Sequence, residues 1–182
     1  FKQRLRITAD YYYKKTTDLL NTVSLPSSSG YKSTVRNIGS ISNQGVELLI
    51  EGDVVQNKDF GLTLQFNIAH NKNRVEELAD GKDILGTTYS NYGSGSITII
   101  REGEPLGAFY VYKDTGLDEN GSLSYEDMNG DGQYTDTEDR YIAGSPFPDF
   151  TYGLNCGIRY KNWDFNFFLQ GSQGNDVFNL SE

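Results

Sequence analysis

From Phe150 to Tyr160 the chain alternates without a break. Phe150, Tyr152, Leu154, Cys156, Ile158 and Tyr160 fall on one side of an extended backbone, and Thr151, Gly153, Asn155, Gly157 and Arg159 on the other. Successive side chains of a strand point to opposite faces, so this run predicts a β-strand between an apolar medium and a polar or crowded one. It is about 11 residues long, and a tilted membrane strand needs roughly 9–11. After the tight Lys161-Asn162 connection, Trp163, Phe165, Phe167 and Leu169 resume the pattern with Asp164, Asn166 and Gln170 between them; only Phe168 breaks it. The two runs predict a hairpin.

The same period recurs upstream. Leu5, Ile7, Ala9, Tyr11 and Tyr13 alternate with Arg6, Thr8, Asp10, Tyr12 and Lys14 and read as a first strand. Residues 16–40 lack a sustained period and contain Leu25-Pro26-Ser27-Ser28-Ser29-Gly30, so a long loop is expected there. Val46, Leu48 and Ile50 mark a second strand, residues 56–59 a short turn, and Leu62, Leu64, Phe66 and Ile68 a third strand. Residues 71–148 read as one long, mainly polar loop with short strands at 97–101 and 108–113.

Long and short connections therefore alternate, which places every long loop on the same side of the sheet. Outer-membrane barrels have this asymmetry, with short periplasmic turns and longer extracellular loops. Phe60, Tyr160 and Trp163 flank the short turns, and Tyr11, Tyr13, Phe150 and Tyr152 sit at the opposite strand ends, as two interfacial aromatic girdles would. The expected fold is all-β: an antiparallel transmembrane β-barrel segment of about five spanning strands.

Composition narrows the picture. The 182 residues are only 36% hydrophobic but include 20 glycines and 13 tyrosines. A barrel needs apolar residues only at alternate positions of its strands, so this mix suits one; it also suits a secreted all-β domain. No run approaches the ~18 apolar residues of a membrane helix. A net charge of −9 argues against nucleic acid as a partner, because phosphate binding requires a basic surface. Cys156, the single cysteine, can form no intramolecular disulfide and reads as a small packing residue. The start at Phe1 without a signal peptide reads as an excerpt from a longer protein.

The chemical motif lies at residues 127–139, in the acidic part of the long loop. Asp127-Met128-Asn129-Gly130-Asp131-Gly132, with Glu138 at the twelfth position, fits the D-x-[DN]-x-[DN]-G-x5-E calcium loop. Calcium takes six to eight oxygen ligands. Here they would be Asp127, Asn129, Asp131, the Gln133 carbonyl and Glu138, with Asp139 able to replace Glu138 if the loop closes differently. Paired amphipathic helices do not flank this loop, so a static structural Ca2+ clamp is expected rather than a switch. No catalytic constellation accompanies it. His70 reads as a solvated strand-end residue, Glu76 and Glu77 as solvating charge, and no nucleophile elbow or phosphate-cradling loop occurs, so an enzyme is not expected.

Several ordered segments carry a resemblance. They are Ile7-Thr8-Ala9-Asp10-Tyr11-Tyr12-Tyr13, Asn37-Ile38-Gly39-Ser40, Asn43-Gln44-Gly45-Val46-Glu47-Leu48, Gly103-Glu104-Pro105-Leu106-Gly107-Ala108-Phe109-Tyr110, Asp127 to Asp131, Asp139-Arg140, Gly144-Ser145-Pro146-Phe147-Pro148-Asp149-Phe150 and Gly174-Asn175-Asp176. Over nearly all of residues 1–182 the chain resembles the C-terminal barrel portion of a SusC/RagA-type TonB-dependent outer-membrane transporter of Bacteroidetes bacteria. The resemblance implies a larger, plugged barrel of about 22 strands. It also implies import of oligosaccharides or peptides, energy from TonB through an N-terminal region absent here, a SusD-like surface lipoprotein as lid, and a place in outer-membrane lipid. Sugar stacking on Tyr89, Tyr92 and Tyr110 would fit such a role. The competing reading is a secreted calcium-stabilised β-sandwich for adhesion or carbohydrate binding, in which the apolar strand faces would meet in one core.

Overall fold

The computed structural model describes residues 4–24, 33–86, 96–135 and 138–179. Among them are eleven strands and no helix: β1 (Leu5–Ser24), β2 (Ser33–Gln56), β3 (Phe60–Leu78), β4 (Ile84–Leu85), β5 (Thr98–Ile100), β6 (Ala108–Tyr112), β7 (Asp114–Leu117), β8 (Leu123–Tyr125), β9 (Arg140–Gly144), β10 (Phe150–Tyr160) and β11 (Trp163–Gln173). They form a five-stranded sheet in the order β1-β2-β3-β10-β11, a four-stranded sheet β4-β5-β6-β9 and the hairpin β7-β8. The chain divides into two compact units. One comprises Phe1–Lys15, Ser42–Asn73 and Phe147–Glu182, the other Thr16–Ile41 and Arg74–Pro146.

The first unit contains the strands that the alternation predicts, closed by two short turns. Between β2 and β3, Asn57 Oδ1 accepts the N–H groups of Asp59 and Phe60 at 3.1 and 2.7 Å, satisfying donors that the reversing chain would otherwise leave open. Between β10 and β11, Lys161 takes a left-handed φ of 52° and donates its N–H to the Asp59 carbonyl at 2.7 Å, tying the two turns together.

The second unit corrects two loop expectations. Residues 16–40 are not one loop: β1 continues to Ser24 and β2 already begins at Ser33. Residues 71–148 carry more pairing than the two short strands expected, since β3 continues to Leu78 and β4 to β9 follow. A ladder persists wherever backbone groups pair, whereas a strand polar on both faces carries no apolar alternation to reveal it. At Gly39 (φ 132°) the backbone passes so close to Glu77 that a Cβ would overlap its carbonyl oxygen, which only glycine permits. Asn37 fixes this approach by accepting the Gly39 N–H at 2.8 Å while donating its amide to Asp18 at 2.6 Å.

Ile99, Ala108 and Tyr110 form the buried cluster of this unit, with Ile142 packed against it. The segment Gly103-Glu104-Pro105-Leu106-Gly107 makes two successive tight turns with positive φ at both glycines. The first turn pairs with the end of β3: Val75 donates to the Glu104 carbonyl and Gly103 to the Val75 carbonyl, both at 2.8 Å.

Candidate functional site

The two faces of the sheet in the first unit differ in chemistry. Across β3, β10 and β11, Leu62, Ile158 and Phe165 form one row, Leu64, Cys156 and Phe167 the next, and Phe66, Leu154 and Leu169 the third. Residues directly opposite in an antiparallel pair share a face, so these rows make one continuous apolar surface. It is open: Trp163 is 78% exposed, Phe165 60% and Leu169 59%, and on β1 Ile7 and Tyr11 are similarly bare. The register also aligns Phe60, Tyr160 and Trp163 side by side at the short-turn end. Cys156 is buried within the apolar face.

The opposite face presents Thr63, Gln65 and Asn67 from β3, Asn155 and Arg159 from β10, and Asp164, Asn166 and Gln170 from β11. Thr63 Oγ1 donates to Asp53 at 2.9 Å, which places β2's carboxylates on this side, and Arg6 pairs loosely with Glu51 at 3.6 Å. Tyr12 belongs here as well. Its hydroxyl donates to Asn71 Oδ1 at 2.8 Å, and its ring spans Gly45, where a Cβ would lie 2.8 Å from two ring carbons and 2.5 Å from the His70 carbonyl oxygen. The glycine of the Asn43-Gln44-Gly45 segment is thus the bed for an aromatic ring arriving from β1. His70 is not merely solvated: its Nδ1 lies 2.6 Å from the Asp149 carbonyl, a contact that requires the proton on Nδ1, and its ring lies 5.2 Å from Phe150.

The Asp-rich loop joins β8 to β9 in the second unit. Asp127 organises its first half: Oδ1 accepts from Gly130 at 2.7 Å and Asp131 at 3.3 Å, and Oδ2 from Gly132 at 2.7 Å. Asn129 and Asp131 each accept the N–H two residues on, from Asp131 at 3.0 Å and Gln133 at 2.7 Å. Positive φ at Gly130 and Gly132 permits these successive turns. Glu138 closes onto the same segment through Asn129 Nδ2 at 2.9 Å.

Asp139 takes a different part. It is fully buried, with Oδ1 accepting from Met128 N–H at 3.0 Å and Oδ2 from Thr135 N–H at 2.7 Å. The Thr135 N–H is the largest influence holding its carboxyl below the usual carboxylate range, with the Met128 N–H and Thr135 hydroxyl adding to it against the opposing cost of burial. Asp139 therefore clasps the two ends of the loop. A salt bridge of 2.5 Å between Lys113 and Glu126 secures the entry, and Tyr125 lies between Tyr112, tilted against it at a ring distance of 5.3 Å, and Tyr134, edge-on to it at 6.2 Å.

The donor set is hard oxygen, suited to calcium. Each side-chain oxygen engaged by one N–H retains a further lone pair, so the turn frame is compatible with an ion. Among the described residues, however, no group of three or more His, Cys, Asp or Glu side chains is already gathered to hold a metal. Of the expected aromatic contacts, Tyr89 and Tyr92 lie outside the described residues. Tyr110 is 3% exposed with Arg101 over its ring, so it is a core residue and not a stacking surface.

An exposed apolar face backed by a polar one is the signature of a barrel wall, and comparison with known proteins decides which. Residues 1–179 match the family model described as TonB dependent receptor-like, beta-barrel. The chain belongs to that family. It is 37% identical over 198 residues to TonB-dependent receptor P3 of Formosa agariphila, a match covering 100% of this chain and 20% of that protein. To TonB-dependent receptor SusC of Bacteroides thetaiotaomicron it is 35% identical over 184 residues, covering 95% and 18%. Among solved structures it superposes on the RagAB peptide transporter with a TM-score of 0.77 at 27% identity, covering 93% of this chain and 19% of the matched one. The chain thus spans about a fifth of the length of these relatives. Family membership also removes the sandwich alternative, which needs the apolar face to be covered by a second sheet; here it stays open.

Proposed function

We propose that this chain is part of the wall of an outer-membrane, TonB-dependent active transporter that imports oligosaccharides or peptides. The observation that carries the reading is the unbroken apolar face running across β3, β10 and β11, uncovered along β11 and at the ends of β10, and backed by a polar face. β10 has 11 residues, or about 36 Å of extended backbone. At a tilt of ~45° it rises about 26 Å, close to the ~25 Å apolar band of an outer-membrane barrel.

In this reading the apolar face meets lipid, the row Phe60, Tyr160 and Trp163 lies at the periplasmic interface, and the polar face lines the lumen. The short turns are periplasmic, and the long connections, the Asp-rich loop at 127–139 among them, are extracellular. Five strands leave two open edges, so the activity belongs to the whole barrel. Energy would reach it from TonB through an N-terminal region outside this chain, and a SusD-like lipoprotein would cover its mouth. Calcium, held by Asp127, Asn129, Asp131, the Gln133 carbonyl and Glu138 over the clasp made by Asp139, would stiffen the extracellular loop. An ordered loop loses less entropy when it binds a partner.

The test is fractionation of cells expressing the full-length protein, followed by uptake measured with and without TonB. Recovery in the outer membrane with TonB-dependent uptake supports the reading. A water-soluble, monomeric full-length protein would refute it.

A further inference from the structure

A groove runs along the apolar face at the end of the sheet that leads into the long connections. β2 lies between β1 and β3, and its Val46 and Leu48 form the floor. Ala9 and Tyr11 of β1 make one side, and Ile68 and His70 of β3 with Phe150 of β10 make the other, around a space of about 430 Å3. Asp10 and Glu47 border it through backbone, because alternation sends their side chains to the polar face, where Tyr12 meets Asn71. His70 is held by the 2.6 Å contact of Nδ1 with the Asp149 carbonyl and by the Phe150 ring at 5.2 Å. With the proton on Nδ1, Nε2 is left as a hydrogen-bond acceptor.

Charge is sorted between the two faces. The chain has 25 acidic and 16 basic residues, yet the outward strand positions of the first unit carry no carboxylate. Asp10, Glu47, Glu51, Asp53 and Asp164 fall on the polar face by alternation, and the Asp149 carboxylate lies against Gly174. The charges that the outward strand positions do carry are Lys15 and Lys72. Both are exposed and stand just beyond the groove, Lys72 following His70 along β3 and Lys15 following Tyr11 and Tyr13 along β1. Neither takes part in this unit's Arg6–Glu51 ion pair. A lysine on a lipid-facing strand is costly at the bilayer middle and close to neutral in cost at its interface, so these two mark the level of lipid headgroups.

We propose that this groove seats an acyl chain of a phosphorylated glycolipid of the outer leaflet, with Lys15 and Lys72 pairing with its phosphate and His70 Nε2 and the Tyr13 hydroxyl bonding its sugar hydroxyls. The proposal rests on the barrel-wall reading and adds a specific lipid to it. The groove is on the face away from the lumen, so a plug does not reach it, and strands completing the barrel pair at the sheet's edges without crossing it. β1 and β3 stand about 10 Å apart across β2, a span that two lysine side chains can close on one phosphate. Phosphate suits this pair because a basic group near the membrane surface attracts an anionic headgroup that no neighbouring carboxylate offsets.

The test is native mass spectrometry of the purified full-length protein, titrated with lipid A, with lipid A stripped of its phosphates, and with phosphatidylethanolamine and phosphatidylglycerol. Lipid A should bind most tightly. Lys15→Gln with Lys72→Gln is expected to weaken its binding about thirty-fold, which is about 2 kcal/mol, while leaving the stripped lipid unaffected. Val46→Phe, which fills the groove with another apolar side chain, should weaken both forms of lipid A. Lys14→Gln on the polar face and Leu62→Phe at the far end of the apolar face should change neither. Unchanged lipid A affinity in the lysine pair or in Val46→Phe overturns the proposal, as does equal binding of the stripped lipid or of phosphatidylglycerol. Dissociation of a dimer in Val46→Phe without a change in lipid affinity would assign the groove to a second copy of this chain and likewise overturn it. None of these failures touches the transporter reading, which stands or falls on outer-membrane recovery and TonB-dependent uptake.

Discussion

Replacing Gly45 by alanine probes the wall where three strands converge. The added methyl would lie 2.5 Å from the His70 carbonyl oxygen and 2.8 Å from two carbons of the Tyr12 ring. Comfortable contacts between such atoms are about 3.5–4.0 Å, so the overlap approaches 1 Å on two sides. The His70 carbonyl belongs to β3 and cannot move away without disturbing the sheet, whereas the Tyr12 ring can swing out. Overpacking of this kind costs about 1–3 kcal/mol. Displacing the ring forfeits its hydrogen bond to Asn71, worth about 0.5–1.5 kcal/mol more. The expected destabilisation of Gly45→Ala is therefore about 2–4 kcal/mol, read from reversible urea unfolding of the full-length protein in micelles. Tyr12→Ala removes one of the two overlaps, so the double variant should be less destabilised than the sum of the single ones by about 1 kcal/mol. Gly61→Ala is the control, because its nearest foreign atom would be 3.5 Å away. Stability of Gly45→Ala within about 0.5 kcal/mol of the parent, or strict additivity with Tyr12→Ala, would refute the reasoning.

Three further outcomes are expected. Leu154→Arg, near the middle of β10 on the apolar face, should destabilise the membrane-inserted protein by about 2–4 kcal/mol, and Tyr160→Arg at the interface by about 0–1; Asn155→Arg on the polar face should leave insertion unchanged by the same unfolding measurement. Because Asp139 titrates below the ordinary carboxylate range when folded, its clasp is fully present above that range and is lost as pH falls through the lowered value. Limited proteolysis of residues 127–139 should accordingly accelerate on acidification in the parent, whereas Asp139→Asn should be cleaved several-fold faster already at neutral pH. If the loop holds the proposed calcium, adding a chelator to the full-length protein should raise protease sensitivity in the same loop and weaken association of the proposed lid, and Asp127→Asn with Asp131→Asn should reproduce both effects without chelator; identical cleavage and affinity in all cases would exclude a structural ion.

The outward face of the sheet was legible in the sequence because a medium on one side and a lumen on the other impose a strict period of two, and tight turns at Asn57 and Lys161 punctuate it. The far parts of β1, β2 and β3 were not, since residues 16–24, 33–40 and 71–78 follow no apolar alternation, and backbone pairing alone leaves no mark on composition. The Asp-rich loop could be located from spacing, but the separate part played by Asp139 depends on the N–H groups of Met128 and Thr135, which only the folded loop brings to it. Tyr12 and Phe168 are the clearest cases. Each is an aromatic residue on the polar face, and each makes sense only beside a glycine that neighbours it across the sheet, Gly45 and Gly153.

In a barrel wall one face of β10 and β11 touches lipid. The direct measurement is collisional accessibility of spin labels placed singly along residues 151–159 of the reconstituted full-length protein, in a Cys156→Ala background. Labels at 152, 154 and 158 should be relaxed by oxygen dissolved in the bilayer, and those at 151, 155 and 159 by a water-soluble metal complex. Accessibility without that period of two, or water on both faces, would contradict the barrel wall.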